Sequence, residues 1–156
     1  MKAATINDLK QELLNTPPAK VTELCLRLAR FKKENKELLT FLLFEADDIP
    51  AYIGNVKNEM DIHFETVNKS NVYFVKKTLR KILRITNKFI RYSGNASVET
   101  ELLIYFCTIL KQLGPTINNN PVIANIYNNQ IKKIQKSIAS MHEDLQYDYL
   151  KDIKQL

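Results

Sequence analysis

Apolar residues recur along this chain at steps of three and four almost from end to end, the period of an amphipathic helix and not of a strand. The clearest case lies between Asn71 and Ser93. At 100° per residue, Val72, Val75, Leu79, Ile82, Leu83, Thr86, Phe89 and Ile90 share one arc of about 120°. The cations Lys76, Lys77, Arg80, Lys81, Arg84, Lys88 and Arg91 share a separate arc of about 140°, with Tyr73 on the same side. One face is built for burial and the other for an anion.

The same pattern predicts the remaining helices. Thr5 caps the first, whose narrow apolar face is Ile6, Leu9 and Leu13; Pro17 and Pro18 end it and open the second. The second runs from about Pro18 to Lys33. The third, about Lys36 to Ala46, is apolar on most sides through Leu38, Leu39, Phe41, Leu42, Leu43 and Phe44, which implies a central position. Asp48 caps a fourth that reaches about Val67, with Gly54 in its interior marking a kink or a close helix contact. Gly94 is placed to end the basic helix in the left-handed conformation, and Ser97 to cap the sixth. The middle of the sixth, LLIYFCTIL, is apolar all round and reads as a central helix.

Beyond the polar loop 116–120, neither glycine nor proline follows Pro121. Tyr127, Ile131, Ile134, Ile138, Met141 and Leu145 alternate in steps of four and three, a heptad seam that could serve a homodimer. The expectation is one long helix over 121–156, either packed on the bundle or projecting from it. Taken together, the pattern implies an all-α fold: a single domain, residues 1–156, forming a compact bundle of about seven mostly antiparallel helices, with solenoid-like stacking as a variant. No fixed-period repeat is present.

Charge sharpens this picture at one point. The 156-residue chain carries 23 Lys and Arg against 17 Asp and Glu, a net charge of +6. The stretch 71–93 alone carries seven positive charges, and no acid occurs from Thr66 to Val98. Just before it, 45–65 holds six acids and one lysine, so the basic face could be neutralised from within. If the two helices pack apolar face to apolar face, Asp61 and Glu65 point away and the cations stay solvated. Lysine outnumbers arginine 18 to 5, yet three of the five arginines lie in the basic helix, where the planar guanidinium suits carboxylate or phosphate.

Candidate chemistry is sparse. Neither His63 nor His142 has a glutamate three residues before it, so the Glu-x-x-His pairs of helical di-metal sites are missing. The three isolated glycines make no phosphate-cradling loop. Cys25 and Cys107 sit in apolar runs and read as buried free thiols in a reducing compartment. The reading is therefore of a non-enzyme, without metal or cofactor, that is cytoplasmic and not integral to a membrane. Its N-terminus has no apolar signal core, and the run Leu102–Leu110 is too short to span a bilayer. The expected role is an interaction or structural module presenting the basic face to an acidic protein. The alternative is non-sequence-specific binding of nucleic-acid phosphates through the same residues, with attachment to anionic lipid a weaker third, since the apolar face is needed for the core.

Overall fold

The computed structural model describes residues 2–156, which contain nine helices and no strand: α1 (Ile6–Leu14), α2 (Pro18–Phe31), α3 (Lys33–Thr40), α4 (Ile49–Glu65), α5 (Val72–Ser93), α6 (Ala96–Gln112), α7 (Pro115–Asn118), α8 (Pro121–Ala139) and α9 (Glu143–Ile153). The fold is all-α, as the periodicity requires. Two of the nine helices exceed the expected seven because Pro115–Asn118 coils into a single turn and the C-terminal helix is broken. Where the pattern implies one domain, the chain gathers into two compact units, Met1–Phe44 and Glu45–Leu156.

In the first unit, Thr5 and Asp8 form a reciprocal cap on α1. The Asp8 backbone N–H donates to Thr5 Oγ1 at 3.2 Å, and the Thr5 N–H donates to Asp8 Oδ2 at 3.1 Å. The hydrogen bond from the Thr5 hydroxyl holds the Asp8 carboxyl below its ordinary range. α2 pairs with α3 across an extended residue, Lys32, and Asn35 Nδ2 closes the corner by donating to Leu28 O at 2.8 Å. A π-helical turn, Phe41–Glu45, follows α3. The expectation of a central third helix is not met: Leu42, Leu43 and Phe44 are exposed. These three residues lie in the π-helical turn beyond the end of α3, where Phe41 alone is buried.

The second unit is a bundle built round α6, whose Val98, Leu102, Leu103, Phe106 and Cys107 are wholly buried. Three cross-links fix the register of α4 beside it: Lys57 with Glu101 at 3.6 Å, Asp61 with the Tyr105 hydroxyl at 2.7 Å, and Phe64 against Phe106 at 5.6 Å between ring centroids. Both numbers of each pair rise together, so α4 and α6 run parallel. α5 returns between them, and the Tyr52 hydroxyl reaches Phe89 O at 2.8 Å across that antiparallel pair. Burial pushes the Tyr52 phenol up, Glu45 adding to it. α8 is antiparallel to α6, since Ser137 Oγ donates to Ala96 O at 3.1 Å while Lys111 lies 5.8 Å from the Tyr127 ring centroid.

The ends of these helices follow local chemistry. Gly94 closes α5 at φ 58°, where a side chain is disfavoured. Asn95, not Ser97, caps α6: its Oδ1 accepts from the Ser97 N–H at 2.8 Å. Gly54 serves no close contact, because a Cβ there meets nothing within 4 Å.

The long C-terminal helix is corrected to two. Ser140 Oγ turns back to Ser137 O at 2.6 Å, His142 is extended, and its Nδ1 accepts from the Asp144 N–H at 3.4 Å with Glu143 and Asp144 in the new first turn. Polar side chains thus make the break without glycine or proline. α9 then folds back along α8, and the Tyr127 hydroxyl donates to Leu156 O at 3.0 Å. No helix among the described residues is long and apolar enough to cross a membrane.

Candidate functional site: the basic face of α5

The α5 helix is held by its apolar stripe. Val75, Leu79, Ile82, Thr86 and Ile90 are buried, and the Thr86 hydroxyl is satisfied by Ile82 O at 2.9 Å. Val72, Leu83 and Phe89 are half-buried at the edges of that stripe. With this face fixed inward, the cationic face is directed away from the core. Asn71 Oδ1 accepts from the Tyr73 N–H at 2.8 Å and starts the helix at the expected residue.

Lys77, Arg80, Lys81, Arg84 and Arg91 are exposed, and none forms an ion pair among the described residues. Lys77, Arg80, Lys81 and Arg84 border a shallow open depression of about 410 Å³ that also touches Thr78. Lys76 is half-buried, its ammonium 5.5 Å from the Tyr73 ring centroid. Lys88 is half-buried too and lies 4.8 Å from the Phe89 centroid and 6.0 Å from that of Tyr92. Tyr73 itself is exposed and meets Phe74 edge-on at 5.5 Å.

The acidic segment does not cancel this face. Asp61 is directed to Tyr105 on α6, raising that phenol to about 12, with burial as the larger cause and the Asp61 hydrogen bond next. Lys57 is directed to Glu101, also on α6. No acid of 45–65 forms an ion pair with Lys77, Arg80, Lys81, Arg84 or Arg91 among the described residues. Parallel packing of α4 against α6 is what draws these side chains away from α5.

The seam residues are placed differently. Ile134 and Ile138 are buried within the second unit, Tyr127, Ile131 and Met141 are half-buried, and Leu145 is exposed beyond the break. The middle of that seam therefore faces the chain's own core, and the helix break separates Leu145 from it.

The remaining chemistry is scattered. His63 is half-buried, and His142 is the exposed cap of α9, 3.4 Å from Asp144 Oδ2. Cys107 is buried, and burial raises its thiol to about 12; Cys25, expected to be buried, is exposed. No group of three or more His, Cys, Asp or Glu among the described residues could hold a metal.

One basic element escaped the sequence reading. No Asp or Glu occurs between Glu101 and Glu143, so α8 is a second acid-free helix, with Lys132, Lys133 and Lys136 exposed. The signal was present, but the apolar seam on the same helix masked it. No family model, curated protein or solved structure matches the chain.

Proposed function

We propose that this chain is a non-enzymatic interaction module that docks an acidic protein segment on the outer face of α5. One observation carries the reading: five cations stand exposed on one rigid helix face, and no carboxylate of the chain pairs with them among the described residues. Opposite charge brought to such a face steers association and fixes register more than it adds raw affinity.

A second reading is a nucleic-acid backbone in the same place. It is favoured by α8, whose acid-free sequence adds lysines that a short acidic peptide on α5 alone does not need. Tyr73, exposed beside Lys76, supplies an aromatic surface to a base in this reading.

The test is fluorescence anisotropy with labelled poly-glutamate, single-stranded DNA and duplex DNA at several salt concentrations. Binding of at least one probe should weaken steeply with salt. It should vanish in the K77E/R80E/R84E variant while the far-ultraviolet circular dichroism stays helical. A variant that binds as the wild type does, or a wild type that binds none of the probes at low salt, overturns the proposal.

A further inference from the structure

The basic row of α5 does not stop on that helix. Lys77, Arg84 and Arg91 are spaced by seven residues, nearly two full turns, so they stand in line about 10 Å apart. Arg91 ends the row at a cleft of about 680 Å³ formed where α5 finishes, α6 begins and α8 passes. Lys133 and Lys136 reach the same cleft from α8. The Ser137 bond to Ala96 O at 3.1 Å pins α8 to the first turn of α6, so the cleft has a fixed wall.

Its charge is one-sided. Three cations line it against one carboxylate, Glu99, and none of the three forms an ion pair among the described residues. The two helices that supply the cations lie in stretches without a single acid, 66–98 and 102–142. The chain thus brings two acid-free helices, α5 and α8, to a common recess and leaves it with more cations than carboxylates.

We infer that this cleft receives a phosphate of a single-stranded nucleic acid whose neighbouring phosphates lie along the outer face of α5. The inference rests on the nucleic-acid reading of that face. A line of cations at regular intervals that continues into the cleft suits a backbone of regularly repeated charge. A flexible strand can bend one phosphate into a recess between helices, whereas a duplex keeps its backbone on a stiff cylinder. Arg91 offers a planar fork to phosphate oxygens, and the two lysines add point charges from the opposite wall.

The experiment titrates oligo-dT, a duplex of equal length and poly-glutamate against the wild type, K133Q/K136Q and K77E/R80E/R84E. Both α8 lysines are exposed, so their replacement leaves the core intact. The α8 variant should bind oligo-dT about tenfold more weakly, with its log–log salt slope shallower by about 0.7, the share of one phosphate contact on a single strand. Its binding to poly-glutamate should not change. Unchanged oligo-dT affinity and slope in K133Q/K136Q, alongside loss of binding in the α5 variant, overturns the cleft and leaves the α5 face standing. A wild type that binds poly-glutamate and not oligo-dT likewise removes the cleft while keeping the face. Tighter binding of the duplex than of oligo-dT also overturns it.

Discussion

Residues 2–44 and 45–156 are both amphipathic helices by pattern, yet they treat their apolar faces in opposite ways. In the second unit, Leu79, Ile82, Leu102, Phe106, Ile123 and Ile134 are all at 0% exposure. In the first, Ile6 is 82% exposed, Phe31 77% and Phe44 80%. Periodicity is therefore a statement of what a helix could bury, and not of what it does bury. The second unit satisfies it because α6 is apolar on every side and can be surrounded. The first unit has no such helix: among the eight residues of α3 only Leu38 and Leu39 are apolar, and the apolar run that follows them lies in the π-helical turn Phe41–Glu45.

That contrast breaks most easily in the core. Phe106→Ala should lower the stability of the second unit by about 3–5 kcal/mol, the loss of transfer energy plus a cavity. Phe31→Ala should stay within about 0.5 kcal/mol, as expected of a surface position. Urea denaturation followed by circular dichroism measures both, and similar losses from the two would dissolve the distinction between the units. Ile134→Asp belongs with the first of these. It should unfold the second unit, whereas a seam between two copies would give a folded, helical monomer on sedimentation.

The cysteines sharpen the comparison through chemistry. Cys25 should react with a thiol reagent in the native protein, and Cys107 only after unfolding. Because burial raises the Cys107 thiol from an ordinary 9.0 to about 12, the folded state favours its protonated form. Stability is untouched by this group below pH 9 and declines as pH rises from there towards 12. Two modified thiols per native chain would contradict the burial.

The smallest effect separates two glycines. Gly54→Ala should raise stability by about 0.5–1 kcal/mol, since it adds helix propensity where a Cβ meets nothing within 4 Å. Gly94→Ala should cost about 1 kcal/mol, because its φ of 58° disfavours a side chain. Thermal melts of the two variants should shift in opposite directions.

Much of this was legible in the chain itself. The caps at Thr5 and Asp48, the glycine end of α5 and the centrality of α6 follow from local rules that packing did not override. The exposure of Lys77, Arg80, Lys81, Arg84 and Arg91 followed from the two-faced pattern of α5, whereas the half-burial of Lys76 and Lys88 on the same arc did not. The break at 140–142 was not legible, since it depends on a histidine side chain capping backbone groups and competing with helix continuation. The exposure of Leu42, Leu43 and Phe44 was equally hidden: composition says how apolar a helix is but not how many neighbours it acquires.

The parallel alignment of α4 and α6 has a kinetic side. Asp61 and Tyr105 are 44 residues apart, and no short turn can join two parallel helices, because the chain must first travel back the length of the first. A 22-residue helix at 1.5 Å per residue carries the chain back about 33 Å, more than the roughly 26 Å length of the 17-residue α4. If α5 is still a coil, that encounter is the closure of a long flexible loop, with its entropic penalty. Once α5 is ordered, it becomes two hairpin-like steps between sequence neighbours. Folding of the second unit should therefore slow most with substitutions that weaken α5 as a helix.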